Sequence, residues 1–208
     1  MIGEDGQARS AEFEADLSPR ELAIVRSAYR VIARQGSNRL SLQDIADEAG
    51  VSKALVLYHF KSRDNLLLTT MTWALLRTAT RIRERVAGVR EPRAAVHALL
   101  DAIWVSPEQN REFFLLYLDL IEHSARVPSF QGLPGITRDI IEGLYAQIIQ
   151  EGVDQRVFTV DDVGEAAATM RAFIEGTFLH WLQQPDWLES HGRYRTRCEE
   201  NLMRLLGS

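Results

Sequence analysis

Residues 41–60 read SLQDIADEAGVSKALVLYHF, and this stretch decides the fold of the surrounding domain. Ser41 followed by Asp44 is the pattern of a capping box, so a short helix is predicted to start just after Ser41. Gly50 ends that helix, because glycine readily adopts the left-handed conformation found at helix ends. Ser52 can cap a second helix. The stretch therefore predicts two short helices, 42–49 and 53–60, joined by a tight turn.

The second of these helices has an inner and an outer side. Val56 and Phe60 are four residues apart, so both point back toward the first helix. Two short helices joined in this way form a helix-turn-helix, whose second member can enter the major groove of DNA. Its outer residues and their polar neighbours are the predicted DNA contacts: Ser41, Ser52, Lys53, Ala54, Leu55, Leu57, Tyr58, His59, Lys61 and Arg63.

The local charge agrees with a nucleic-acid partner. The 208 residues include 24 Lys plus Arg and 29 Asp plus Glu, for a formal net charge of −5. Residues 20–65 carry eight basic and five acidic side chains, whereas the segments before and after them each have a net charge of −4. A basic block attracts phosphate over about a Debye length. A solvated helix face has the same composition, so charge does not select DNA without the motif.

Helical periodicity continues through the rest of the chain, and no comparable strand pattern is present. Ser106 and Gln109 mark a helix start at Pro107, and Thr159 with Asp162 marks another. The fold class predicted is all-α, with an amino-terminal helix-turn-helix domain, a larger helical domain and about nine helices. The predicted helices are 19–35, 42–49, 53–60, 63–87, 92–104, 107–125, 136–151, 161–183 and 190–206, with a loop at 127–135.

The run from Leu22 to Leu68 resembles the amino-terminal domain of TetR-type (tetracycline-repressor-like) transcriptional regulators. The matching features are Ile45-Ala46, Ala49-Gly50-Val51-Ser52-Lys53, Tyr58-His59-Phe60, and the acid and leucines after Ser62. The resemblance implies that this domain binds double-stranded operator DNA as a homodimer, and that the remaining helices hold an effector pocket and the dimer interface. The chain departs from the family at Leu57, where a tyrosine usually reaches a phosphate; Tyr58 is an alternative donor.

The resemblance also implies a division of the chain. A flexible acidic tail is expected over 1–18, the helix-turn-helix DNA-binding domain over 19–65, and an effector-binding and dimerisation domain over 66–208. The helix 161–183 is apolar over more than one stripe, so it should be buried from two sides. We expect one side to face its own core and the other to join 190–206 in a homodimer interface.

Candidate effector-binding residues are large side chains on the segments that the resemblance places around the cavity. Aromatic side chains at helical spacing more often belong to a core, so a core role is the alternative for each of them. Glu122, His123 and Glu175 could orient a polar group of the effector, or serve as surface carboxylates and a core histidine. The candidates are Trp73, Trp104, Phe113, Phe114, Tyr117, Phe130, Tyr145, Met170 and Phe173.

Sequence patterns give no support to an enzyme, a cofactor or a metal site. The Gly-rich phosphate loops and the Gly-x-Ser-x-Gly elbow are absent, and no acidic residue lies three positions before any of the five histidines. The single cysteine, Cys198, is expected to be a small buried hydrophobe. The apolar runs are too short for a membrane span and the first residues are acidic, which favours a cytoplasmic protein.

The resemblance implies a ligand-responsive DNA-binding regulator, a repressor that leaves its operator when a small molecule of unknown identity binds the carboxy-terminal domain. The alternative is a helical small-molecule-binding protein whose DNA-binding domain no longer reads DNA, which Leu57 would allow.

Overall fold

The computed structural model describes residues 13, 16–35, 41–126, 135 and 137–208. In this part of the chain the predicted all-α fold is confirmed, with nine α-helices, one π-helical turn and no strand. Most of the acidic tail predicted over 1–18 and of the loop predicted over 127–135 lies outside the described residues. The helices are α1 Pro19–Gln35, α2 Leu42–Ala49, α3 Lys53–Phe60, α4 Arg63–Val86, α5 Pro92–Ile103, α6 Pro107–Arg126, α7 Gly143–Asp154, α8 Val163–Leu182 and α9 Trp187–Leu205.

The first six helices match their predicted bounds to within one residue, because strong local signals mark their ends. The start of α6, for example, is capped as expected, since Ser106 Oγ accepts from the backbone N–H of Gln109 (3.2 Å). Glu91 also caps α5, where Pro92 occupies the first helical position.

The predicted cap at Thr159 is wrong. Helix α8 begins instead at Val163, where Asp162 Oδ1 accepts from the backbone N–H of Glu165 (2.9 Å). The backbone N–H of Thr159 donates to the carbonyl of Leu206 (2.8 Å), so this residue is tied to the end of the chain. A contact between residues 47 positions apart therefore overrides the local capping signal.

The helix predicted over 136–151 differs at both ends. A π-helical turn occupies Arg138–Glu142, and α7 follows directly and continues to Asp154. The last helix, α9, begins at Trp187, three residues earlier than predicted. There the carbonyl of Trp187 accepts from the indole N–H of Trp181 (2.7 Å).

The described residues fall into two compact units. The amino-terminal unit comprises the described parts of Ala8–Arg77 and Glu112–Ile136, and the carboxy-terminal unit comprises Thr78–Arg111 and Thr137–Ser208. Helices α4 and α6 each contribute residues to both units. Fully buried side chains of the amino-terminal unit include Ile24, Ile32, Ile45, Leu66, Leu67 and Met71; those of the carboxy-terminal unit include Ile82, Leu99, Leu100, Phe178 and Trp181.

Among the described residues, no helix combines the length and the apolar character that crossing a bilayer requires.

Candidate functional site

The predicted helix-turn-helix is built by local hydrogen bonds. Ser41 Oγ accepts from the backbone N–H of Asp44 (3.1 Å), and the Asp44 carboxylate accepts from the backbone N–H of Ser41 (2.8 Å). Hydrogen bonds from the Ser41 hydroxyl and then from its backbone N–H to the carboxylate lower the pKa of the Asp44 carboxyl. Gly50 follows with φ 66° and ψ 34°, the left-handed conformation that ends α2. Ser52 Oγ then accepts from the backbone N–H of Leu55 (3.2 Å) and starts α3. The predicted caps are confirmed.

Helix α3 presents one side to the core and the other to solvent. Val56 is fully buried and Phe60 is 3% exposed, so the predicted inner side is confirmed. Tyr58 is 69% exposed, although it carries an aromatic ring. An aromatic ring held in solvent gains no burial free energy, which makes it a candidate contact residue. The exposed residues of α3 are Lys53, Ala54, Leu57 and Tyr58, and Leu55 is half-buried.

Lys61 ends α3 in an uncommon backbone conformation. Its φ of 64° lies in the left-handed region, which side chains other than glycine rarely adopt. Its ammonium donates to the carbonyl oxygen of Tyr58 (2.6 Å) and lies 4.9 Å from the centre of the Tyr58 ring. A cation and a phenol therefore lie side by side at the carboxyl end of α3, an arrangement suited to a phosphate group.

The other predicted DNA-contact residues have partners within the amino-terminal unit. Ser41 Oγ donates to Asp44 Oδ2 (2.7 Å), so its hydroxyl proton is engaged in the cap. The His59 side chain is only 17% exposed, and its Nδ1 lies 3.1 Å from Glu21 Oε1. His59 is therefore held against α1 and not on the exposed side of α3. Arg63, the first residue of α4, is half-buried.

An aromatic cluster is buried in the carboxy-terminal unit, and the sequence patterns did not predict it. The Trp104 and Phe178 rings stack with centroids 3.8 Å apart, and Trp181 lies edge-on to Phe178 at 6.0 Å. The His191 ring lies 5.0 Å from Trp104 and 5.1 Å from Trp181. The signal available in the sequence was the spacing of Phe178 and Trp181, three residues apart on one face of α8.

Asn110 joins this aromatic cluster to the end of α5. Its side-chain amide donates to the Ile103 carbonyl (2.7 Å), so its Oδ1 is free to accept from His191 Nε2 (2.8 Å). Burial lowers the pKa of His191, which keeps the imidazole neutral near pH 7. Arg81 of α4 also donates to the carbonyl of Ala102. The carboxyl end of α5 thus receives donors from both α4 and α6.

Cys198 behaves as the sequence predicted. The side chain is fully buried, and burial raises the pKa of its thiol to about 12. The thiolate is the reactive form of cysteine, so this residue is inert at neutral pH.

The candidate effector residues do not all lie in one unit. Trp104, Tyr145 and Met170 are buried in the carboxy-terminal unit, whereas Phe173 of the same unit is 38% exposed. Phe130 lies outside the described residues. The remaining candidates lie in the amino-terminal unit, where Trp73 packs edge-on to Tyr29 at 5.8 Å: Trp73, Phe113, Phe114 and Tyr117.

The polar residues proposed to orient an effector are engaged in ion pairs. Glu175 Oε1 accepts from Arg171 Nε (2.7 Å), and Glu142 pairs with the same guanidinium. Glu122 pairs with Arg126 at 3.2 Å on the surface. The side chain of His123 lies outside the described part of the chain.

Comparison with known proteins identifies the family. Residues 24–70 match the profile of "Bacterial regulatory proteins, tetR family", and residues 92–207, more than half of the chain, match "BetI-type transcriptional repressor, C-terminal". The chain belongs to the TetR family of transcriptional regulators. The helix-turn-helix described above is therefore the DNA-binding motif of a regulator, and TetR-family proteins act as dimers on operator DNA.

Individual relatives agree with this assignment. The transcriptional regulator BetI of Agrobacterium fabrum is 30% identical over 77% of this chain and 75% of its own length. A putative regulator from Saccharomonospora viridis, solved in complex with choline, has a TM-score of 0.77 and 25% identity over 86% of this chain and 93% of that one. A TetR regulator from Haloarcula marismortui shares the fold, with a TM-score of 0.78 and 22% identity over 92% of this chain and 98% of that one. All three of these relatives are named as transcriptional regulators.

Proposed function

We propose that this TetR-family protein is a cytoplasmic repressor that leaves its operator when a small organic cation binds its carboxy-terminal domain. The observation that carries the proposal is the exposed side of α3. Lys53 and Tyr58 are held out in solvent while Val56 and Phe60 anchor the helix from behind. That arrangement is suited to a helix inserted in the major groove.

The proposed operator interface uses the amino end of α3 for base edges and its carboxyl end for phosphates. Lys53 lies in the first turn, where residues of a recognition helix usually reach bases. Tyr58 and Lys61 lie at the opposite end, where a phosphate would accept from both. Ser52, Ala54, Leu55, Leu57 and Arg63 complete the interface. Ser41 and His59 act within the domain, as a cap and as a contact to α1.

The proposed division of the chain places DNA reading in 19–65 and effector binding with dimerisation in 66–208. The two profile matches, over 24–70 and 92–207, support it. In a dimer, the two recognition helices must lie about 34 to 36 Å apart to enter successive major grooves. A change in that separation, transmitted through α4, would release the operator.

The proposed effector class is a quaternary ammonium compound of the size of choline. The structural relative from Saccharomonospora viridis was solved with choline. The carboxy-terminal unit also offers several tryptophan rings, and a tryptophan face attracts such cations. Trp187 lies edge-on to Trp181 of the aromatic cluster, with ring centroids 6.1 Å apart. It already has the Arg111 guanidinium 5.0 Å from its ring centre, so a cation is accommodated beside the cluster.

The test of the proposed function selects genomic fragments with the purified protein and then adds choline. We expect enrichment of one or a few fragments, their release by choline, and a change in tryptophan fluorescence on choline binding. The control is the uncharged analogue of choline with carbon in place of the nitrogen. It should neither release the fragments nor change the tryptophan fluorescence. If no fragment is enriched, the result would support the alternative, a small-molecule-binding protein that has lost DNA-binding activity. Enrichment without any response to choline would overturn the effector class and leave the repressor in place.

The proposed dimer interface uses one side of α8 and α9. Four large apolar side chains on these helices are substantially exposed: Phe173 (38%), Leu179 (42%), Leu188 (46%) and Leu205 (37%). Gly176 and Gly192 add room, because a Cβ atom at either position would meet nothing within 4 Å. Exposed apolar side chains beside small residues allow two helix pairs to approach closely, as in a four-helix interface.

Replacing Leu179 by glutamate should convert the dimer to a monomer. Two carboxylates would be buried without partners across the twofold axis, and each unpaired buried charge is strongly unfavourable. Sedimentation velocity measures the change. Val105→Glu is the matched control, because Val105 is 38% exposed and lies between α5 and α6. A Leu179→Glu protein that stays dimeric at micromolar concentration would contradict the proposed interface.

A further inference from the structure

Glu21 is fixed at the start of α1 by a reciprocal cap. The Ser18 backbone N–H donates to Glu21 Oε2 (2.8 Å), and the Glu21 backbone N–H donates to Ser18 Oγ (3.2 Å). With Pro19 at the first helical position, the carboxylate has a defined place relative to α1. The Ser18 side chain is the main cause that lowers the pKa of Glu21, and the bonds to the Ser18 backbone N–H and to His59 add to it.

The second oxygen of this carboxylate holds the recognition helix. Glu21 Oε1 lies 3.1 Å from Nδ1 of His59, which is 38 residues further along the chain. The side chains are 23% and 17% exposed, so the pair is largely shielded from water. An ionised carboxylate only accepts hydrogen bonds, which places a proton on Nδ1 of His59.

The hydrogen bond between Glu21 and His59 limits rotation of α3, which the buried apolar contacts of this helix cannot do. Val56 and Phe60 hold the helix against the core, but burial of apolar surface is non-directional. A hydrogen bond has a preferred distance and angle, so the bond to His59 limits rotation of α3 about its own axis. The neighbouring Tyr58 ring packs edge-on to His59 at 5.3 Å and 82°, and its direction depends on that rotation.

We propose that Glu21 is a positioning residue for operator binding, because its carboxylate holds His59 and thereby sets the direction of Tyr58 on the exposed side of α3. The proposal rests on the proposed role of α3 in reading the operator. It assigns to α1 a part in DNA recognition that requires no contact between Glu21 and the nucleic acid.

The test measures binding of the full-length dimer to the genomic fragment that wild-type protein enriches. Loss of a hydrogen bond to a charged group weakens an interaction by about tenfold, so Glu21→Ala should weaken operator binding by about tenfold or more. Glu21→Gln keeps an oxygen acceptor for His59 and should restore most of the affinity. The double variant Glu21→Ala, His59→Ala should bind no more weakly than the weaker single variant, since both remove the same bond.

Two controls separate positioning from stability. Ser18→Ala removes the hydroxyl of this cap but keeps the backbone N–H that donates to Glu21 Oε2, so it should change the melting temperature more than the operator affinity. Glu48→Ala breaks the ion pairs of Glu48 with Arg30 (2.9 Å) and Arg34 in the same unit without touching α3, and it should leave operator affinity within about twofold.

Nitrogen NMR of protein that contains isotope-labelled histidine detects the hydrogen bond between Glu21 and His59 directly, without DNA. In the wild type His59 should carry its proton on Nδ1, and Glu21→Ala should abolish that preference. An unchanged His59 signal in Glu21→Ala, or equal loss of operator affinity in Ser18→Ala and Glu21→Ala, would overturn the proposal. If Lys53→Ala and Tyr58→Ala leave operator affinity unchanged while the His59 signal responds to Glu21, the proposed role of α3 fails and the contact itself stands.

Discussion

Replacing Lys53 and Tyr58 together by alanine is expected to weaken operator binding by at least about a hundredfold, because the dimer loses four contacts at once. Both side chains are exposed on α3, and neither fills the core. The melting temperature and the affinity for choline should therefore stay close to those of the wild type. Fluorescence anisotropy with the enriched genomic fragment measures the loss.

The salt dependence of the same titration tells which kind of contact each residue makes. A lysine that contacts a phosphate causes the release of about one counterion on binding. Removing such a lysine therefore makes the slope of log affinity against log salt less steep by about one per subunit. Tyr58→Ala should lower affinity with little change in slope, since its phenol is uncharged. Arg93→Ala, an exposed cation on α5, is the charge-matched control and should change neither quantity. Wild-type affinity in the double variant would remove α3 from the operator interface.

Replacing Gly152 by alanine is expected to lower the free energy of unfolding by about 3 kcal/mol, because the new methyl group overlaps a buried ring. A Cβ atom there would lie 2.0 Å from Cδ2 and 2.4 Å from Cε2 of Phe158, which is itself 3% exposed. The ring cannot retreat easily, since the carbonyl of Gly152 accepts from the backbone N–H groups of Val157 (2.9 Å) and Phe158 (3.1 Å). Urea denaturation of the purified dimer measures the effect.

Gly143→Ala is the matched control in the same helix. A Cβ atom at Gly143 would meet nothing within 4 Å, so alanine there should be neutral or stabilise α7 by up to about 1 kcal/mol. Combining Gly152→Ala with Phe158→Leu should recover part of the loss, because the two changes share one space. Equal stability of Gly152→Ala and the wild type would show that the ring relocates at no cost.

Gly152 also shows a limit of what the local sequence pattern can predict. The sequence predicts a helix that ends at 151, immediately before this glycine, whereas α7 continues through it to Asp154. The glycine is required inside the helix because Phe158 packs on it. A requirement for space against a residue in the following turn leaves no periodic trace, so it could not be read from the pattern.

The aromatic cluster shows a similar limit of sequence pattern in the candidate effector region. The pattern identified aromatic residues one helix at a time, and Trp104 was among them. It did not bring Trp104 together with His191, 87 positions later, through Asn110. Residues of comparable pattern, such as Trp73, lie in the other unit. Periodicity defines the buried face of a helix and not the helix that covers it.

What the sequence by itself determined is the helix-turn-helix: its two caps, the left-handed Gly50 and the inner pair Val56 and Phe60 all follow from interactions within 20 residues. Short-range hydrogen bonds and helical spacing suffice there, so the motif was correct to the residue. Only the tertiary structure decided that His59 faces Glu21, that Thr159 binds Leu206 instead of capping α8, and that the Trp104 cluster forms. Each of these depends on which distant segments pack together, and the free energy of such contacts belongs to the folded chain as a whole.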